Sequence, residues 1–470
     1  MLTLRRDRLQ YIFEGPKEAT DVVKASLTLF NPKTGFPARL YRKTSFDHGH
    51  LETVSDALRA AQIDFKVEGG ISYPTENLRL SEAFLVPKRR YQRRAILNWM
   101  GKRNGIMKLS TRAGKTFMAA ECLRHLVREQ PTIKICFLTE NASIFEQNLE
   151  EVPKILGEEC GRIQGQTRDI RRVTFAMAQT LQSGLRQPGG GTIKRVLESF
   201  DCLVVDEMHL FTSAQRLGVI RAFRGARFTM GLSATPMKKS DPVGGAKVRG
   251  LLGPIIEEVP EAELRGTVLA EDKIVFLRCP PDRRRLPWPD NYTRNVVEGA
   301  RRNGYIVDVV GGLRALGLRT IVFVEKKDHG RILSEALGCP FVYGETDPGE
   351  RADLKEEFLK GGGGVLVASR VFSIGVSFPT VHVLVNAAGF KEETAAQQRR
   401  GRVLGASGGK TRSMTIDFLD EDGSHLEKHS RSRARAYSEQ SGGLKIRRLD
   451  LSVPGKLDAF LSYVAKWFGC

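Results

Sequence analysis

Near-continuous apolar runs, separated by segments with apolar side chains at helical spacing, dominate the middle of the chain. Ile133 to Leu138, Arg172 to Met177 and Cys202 to Val205 are such runs. A strand apolar on both faces is buried on both faces, as in a parallel sheet wrapped by helices. The alternation returns further on, where Thr320 to Val324, Phe341 to Tyr343 and Gly364 to Ser369 read as strands, with Arg331 to Leu337 and Arg351 to Leu359 as helices between them. Between the blocks, Pro280 to Arg302 is rich in Pro and Arg and breaks the pattern, which places a domain boundary near it. Ahead of both, Ala25 to Phe30 and Ala38 to Tyr41 alternate as strands do, and Leu51 to Ala61 carries a helical stripe. The expected fold is α/β: two parallel-sheet domains in tandem over residues 81–268 and 269–424, preceded by a small α+β domain over 1–80 and followed by a basic helical tail over 425–470.

Composition narrows the setting. No apolar run is long enough to cross a bilayer, and Met1 to Asp7 lacks the apolar core of a secretory signal, so a cytoplasmic protein with no membrane partner is expected. Seven cysteines without a close pair argue against zinc fingers and disulfide frameworks. Charge changes the picture more. A net charge of +20 attracts polyanions with salt-dependent affinity, which makes nucleic acid the expected partner.

The densest chemistry lies in Leu109-Ser110-Thr111-Arg112-Ala113-Gly114-Lys115-Thr116, between an apolar run and a helix-like segment. A loop closing on Gly-Lys-Thr at a helix N-terminus turns backbone N–H groups toward an anion. Lys115 then reaches the outer phosphates, and the Thr116 hydroxyl is placed to ligate magnesium. Leu109 stands where the usual loop has its first glycine. Upstream, Arg89, Tyr91 and Gln92 precede a helix, and a glutamine amide offers the donor and acceptor that complement an adenine edge. Asp206 and Glu207 follow an apolar strand, at the edge where ligands bind in open α/β sheets. There Asp206 suits magnesium, and Glu207 suits orienting or deprotonating a water. Ser233 and Thr235 offer hydroxyls near the same edge. Gln397 to Leu404 carries Arg399, Arg400 and Arg402, which fit either a finger on a γ-phosphate or a basic helix face.

In order and spacing these motifs resemble those of superfamily 2 helicases of the DExH type, from about Arg89 to Asp420. Arg89 to Gln92 looks like the adenine-reading motif, Ser110 to Thr116 motif I, Asp206 to His209 motif II and Ser233 to Thr235 motif III. Val367 to Ser377 is similar to motif V, and Gln398 to Arg402 to motif VI. A narrower resemblance, to phage UvsW-type recombination and branch-migration helicases, rests on Leu252 to Pro260, Val371 to Ser377, Gly401 to Leu404 and Asp417 to Glu421.

The resemblance implies two RecA-like domains, ATP and Mg2+ as cofactors, and a monomer that unwinds or branch-migrates forked and recombining DNA, in the host cytoplasm if phage-encoded. It assigns Lys115, Asp206, Glu207, Gln398, Arg399 and Arg402 to catalysis, and Thr116 with Asp206 to the metal. It places Arg89, Tyr91, Gln92, Ser110, Thr111, Arg112, Ala113, Gly114, Lys115, Thr116, His209 and Gly375 at the nucleotide. It assigns Asn141, Gln147, Met177, Gln179, Thr180, Ser369, Arg370 and Phe372 to the nucleic-acid strand. Gly405 stands where motif VI has its last arginine, with Arg370 and Arg400 as candidate substitutes. An RNA helicase and an ATP-gated nucleic-acid clamp without unwinding are the alternative expectations.

Overall fold

The computed structural model describes residues 1–7, 9–69, 89–187, 191–237, 241–283, 286–360, 364–369, 378, 380–391, 393–406, 409–441 and 443–470. Among them no helix is long and apolar enough to cross a membrane. The chain divides into two units, residues 1–259 and 260–470.

The first unit holds two main sheets. Near its start, a five-stranded sheet runs in the order Tyr41–Arg42, Ser45–Asp47, Gln10–Glu14, Leu2–Asp7 and Phe65–Glu68. The helices Lys17–Ser26 and Leu51–Ala60 cover it, burying Val23 and Val54 with Leu2, Leu4, Phe13 and Phe46. The expected strand over Ala25 to Phe30 is shorter, because Ala19 and Val23 carry a helical stripe through Ser26, and only Thr28–Phe30 is extended. This module docks on the helix Pro242–Leu252 at close range. Gly49 lies so near that a Cβ would sit 2.1 Å from the Arg249 carbonyl oxygen, so only glycine fits. His48 Nε2 bonds Leu251 O at 2.8 Å, and Arg221 pairs with Asp47 at 3.1 Å.

The larger sheet has eight strands in the order Thr167–Asp169, Gly161–Gln164, Val173–Met177, Ile135–Thr139, Cys202–Val205, Phe228–Ser233, Asn104–Leu109 and Ile255–Val259. Only Thr167–Asp169 runs antiparallel. The central strands are buried along their whole length, as their apolar runs predict. Register matters most here. Val205 lies opposite both Leu138 and Gly231, and Ser233 lies opposite Lys108. Residues 110, 206 and 234 therefore leave the sheet at one carboxyl edge.

The second unit is a seven-stranded parallel sheet in the order Phe341–Val342, Val365–Ala368, Thr320–Phe323, Val383–Asn386, Arg412–Asp420, Glu271–Cys279 and Ile446–Asp450. Two expectations are corrected. Glu271–Cys279 precedes the Pro- and Arg-rich stretch and joins this sheet, so that stretch lies inside the unit rather than at its border. The basic tail is not purely helical either. After the helix His425–Gln440, Ile446–Asp450 pairs with Glu271–Cys279 as an edge strand, and the helix Lys456–Phe468 follows. Arg447 and Arg448 hid this strand because an edge strand is half solvated and tolerates charge.

Candidate nucleotide site

The phosphate loop joins the strand Asn104–Leu109 to the helix Lys115–Glu129. Arg112 (φ +68°) and Gly114 (φ +86°) both take the left-handed conformation, which costs the non-glycine residue about 1–2 kcal/mol. A Cβ on Gly114 would lie 2.9 Å from Gln92 Nε2, so glycine also admits the helix behind the loop. That helix, Arg90–Lys102, holds the loop directly: the Tyr91 hydroxyl and the Gln92 amide each donate to Ala113 O at 3.2 Å. Both side chains are buried, while Arg89 is exposed at the helix start. On the other side, Ser110 Oγ donates to Val259 O at 2.8 Å. The loop is anchored at both flanks.

At the same edge, Lys115 Nζ stands 2.7 Å from Glu207 Oε1. Glu207 is itself left-handed, with φ +47°, and its N–H donates to Asp206 Oδ1 at 2.9 Å. His209 Nδ1 lies 3.3 Å from Glu207 Oε2 and 2.9 Å from Ser233 Oγ, and Ser233 Oγ accepts the Thr235 N–H at 3.0 Å. Motifs II and III are thus joined by a chain of polar contacts through a buried imidazole. Electrostatics divides the two carboxylates. Burial and the adjacent Glu207 charge push Asp206 up to about 6, against the pull of Lys115. Burial alone would raise Glu207 too, but the Lys115 ammonium and His209 hold it below the ordinary carboxylate range.

Asn148 is the residue that sequence reasoning missed. It is 1% exposed, and its Oδ1 accepts the Thr116 hydroxyl at 3.2 Å. The available signal was a lone amide between Phe145 and Val152 on the buried stripe of the helix Ala142–Leu156. The Thr116 hydroxyl and the Asp206 carboxylate are hard oxygen donors that suit a small divalent ion, and Lys115 supplies charge for phosphates. The residues present fit ATP with Mg2+.

The expected nucleic-acid contacts are placed variously. Asn141 caps the helix Ala142–Leu156, its Oδ1 accepting Ile144 N–H at 3.1 Å, and exposed Gln147 bonds Glu151 at 2.8 Å. Thr180 Oγ1 accepts Gly165 N–H at 3.1 Å, and Gln179 is exposed. Met177 is buried at a strand end, which makes its side chain core rather than contact surface. Ser369 is 9% exposed just past the strand Val365–Ala368. Arg370, Phe372 and Gly375 lie outside the described residues.

In the second unit, the helix Glu393–Val403 carries motif VI. Arg400 is withdrawn as a finger. It is 1% exposed, with Nε 2.8 Å from Asp272 Oδ2 and Nη1 2.9 Å from Glu261 Oε2. Arg399 is 3% exposed and donates to Asn386 Oδ1 at 3.2 Å and Glu325 Oε2 at 3.0 Å, so it braces the interior of its own unit in this conformation. Gln398 and Arg402 are half-buried, and Gly405 is buried opposite Leu269.

Comparison with known proteins agrees with this geometry. A family model described as the Type III restriction enzyme res subunit matches residues 85–238, and one described as the helicase conserved C-terminal domain matches residues 303–406. The chain is 26% identical over 366 residues to "DNA 3'-5' helicase XPB" of Kineococcus radiotolerans, covering 74% of this chain and 64% of that protein. It is 24% identical over 401 residues to "ATP-dependent DNA helicase uvsW" of Enterobacteria phage T4, covering 77% of each. Among solved structures, S. cerevisiae Dbp5 bound to RNA and ADP BeF3 shares the fold with a TM-score of 0.56 at 18% identity, over 84% of this chain and 97% of that one.

Proposed function

The chain belongs to the superfamily 2 helicases, and on that premise we propose that it is an ATP-driven DNA helicase or translocase that remodels branched DNA such as forks and recombination intermediates. One observation carries the reading: Lys115, Thr116, Asp206 and Glu207 converge at one carboxyl edge, with Lys115 and Glu207 paired at 2.7 Å. In our reading the incoming phosphates draw Lys115 away from Glu207. Glu207, braced by His209, then orients the attacking water. Thr116 and Asp206 would hold Mg2+, which would supply charge neutralisation at the outer phosphates. The His209–Ser233–Thr235 contacts pass changes at Glu207 to the segment after Phe228–Ser233. On the motif VI resemblance we assign Arg402, on the helix Glu393–Val403, to the developing phosphoryl charge.

The preference for branched DNA is supported by the uvsW likeness and by the basic charge, which suits phosphate contacts with little sequence preference. The test is a labelled four-way junction incubated with the protein and ATP. Resolution of the junction into duplex arms supports the proposal. ATP hydrolysis on DNA with the junction left intact refutes the branch-remodelling part.

A further inference from the structure

The Pro- and Arg-rich stretch between Glu271–Cys279 and Thr320–Phe323 has no part in the site above. Its described portion folds back over the carboxyl edge of the second unit's parallel sheet. Asn291 Nδ2 donates to Asp422 Oδ2 at 2.6 Å, just beyond the strand Arg412–Asp420, and the Tyr292 hydroxyl donates to Ala388 O at 2.7 Å, just beyond Val383–Asn386. This is the edge where open α/β sheets receive ligands.

On this cap, Trp288 remains 40% exposed. It does not sit loosely. Four rings pack against it: His429 at 5.6 Å, Tyr292 and Phe390 each at 5.7 Å, and His425 at 6.1 Å between centroids. Tyr292 and Phe390 are themselves in edge contact at 4.6 Å. Two exposed lysines border the cluster in sequence, Lys391 after Phe390 and Lys428 beside His429, with exposed Asp290 two residues after Trp288. Asp422 is held by Asn291 and by the Ser424 and Glu427 N–H groups. Burial, with Arg433, His425 and Lys391 adding to it, lowers the His429 pKa, so that ring is neutral at physiological pH.

A braced aromatic face bordered in sequence by lysines matches the two recognisable parts of a single strand, a base π-face and its phosphates. We propose that Trp288 and the rings beneath it form a stacking platform for an unpaired nucleobase of a DNA strand. This rests on the DNA-motor reading and adds a site to it.

The test uses the full chain without nucleotide, titrated with oligo(dT) and with a strand of equal length lacking bases, and followed by tryptophan fluorescence. Trp99 is fully buried and Trp467 partly buried, so the quench is assigned to Trp288 by its loss in Trp288→Phe. The expected result is quenching by oligo(dT) only, with oligo(dT) bound about tenfold tighter than the abasic strand. Trp288→Ala should bring oligo(dT) down to the abasic affinity while leaving the abasic affinity unchanged. Trp288→Phe, which keeps a ring, should lose the quench and retain most of the affinity. Equal affinity for the two strands, or unaltered oligo(dT) binding by Trp288→Ala, overturns the platform; ATP hydrolysis still stimulated by DNA would leave the motor reading standing. Quenching by blunt duplex but not by single strands also overturns it. If no DNA binds or stimulates hydrolysis, the motor reading falls and the platform with it.

Discussion

Arg400→Met separates a structural arginine from a catalytic one. The guanidinium is 1% exposed and satisfies two buried carboxylates, Asp272 at 2.8 Å and Glu261 at 2.9 Å. Removing it strands both acids in the interior, and breaking a buried pair from one side costs about 3–5 kcal/mol. For a unit of this length, that loss lowers the thermal midpoint by roughly 6–20 °C. The pH dependence gives a second handle. Burial raises both carboxyl pKa values, and Arg400 is the main group opposing the rise. In the folded state these acids hold protons more readily than in the unfolded chain, so their contribution weakens stability as pH rises through the carboxylate range. Without Arg400 the rise is unopposed, and the deficit should be larger at pH 7.5 than at pH 5. Differential scanning calorimetry at both pH values measures it, with Asp272→Asn and Glu261→Gln added together expected to restore part of the loss. An unmoved midpoint accompanied by lost ATP hydrolysis would refute the reasoning and return Arg400 to the nucleotide.

Lys115→Ala should lower kcat for ATP on the order of 100-fold or more, while filter binding shows affinity for single-stranded DNA retained. Gly49→Ala forces a Cβ to within 2.1 Å of a backbone oxygen and should destabilise docking of the N-terminal module by about 1–3 kcal/mol, read as faster hydrogen exchange along Pro242–Leu252. His48 and His50 are both lowered to about 4, chiefly by burial. Their neutral forms support the fold fully above the ordinary histidine pKa, and that support is lost as pH falls from about 6.5 toward 4, so protection factors along the same helix, corrected for the intrinsic exchange rate, should fall at pH 5. Tyr437→Phe removes the hydroxyl that donates to Asp417 at 3.0 Å and should cost about 1 kcal/mol in urea unfolding.

How much of this was legible depends on distance along the chain. The phosphate loop, the acidic pair and the buried strands were readable because each is local: a run of apolar residues, then chemistry at the strand's end. Asp206 and Ser233 meet Lys115 because parallel register brings successive strand ends to one edge. The motif VI arginines were not separable in the same way. Arg399 and Arg400 look alike in sequence, and the carboxylates that claim them, Glu325, Asp272 and Glu261, lie 74 to 139 residues away. Met177 was assigned to the nucleic-acid strand by the motif resemblance, yet its unbranched side chain is buried. Ile446–Asp450 was concealed by its arginines, and Asn148 by being a single polar residue on an apolar stripe.

The central claim is that the edge holding Lys115 and Glu207 hydrolyses ATP in response to DNA. Steady-state ATP hydrolysis against single-stranded DNA, duplex DNA, a four-way junction and structured RNA, with Lys115→Ala as the blank, tests it most directly. Hydrolysis should be strongly stimulated by DNA, most by the junction, and absent from the Lys115 variant. Stimulation by RNA alone, or full turnover by the variant, would contradict it.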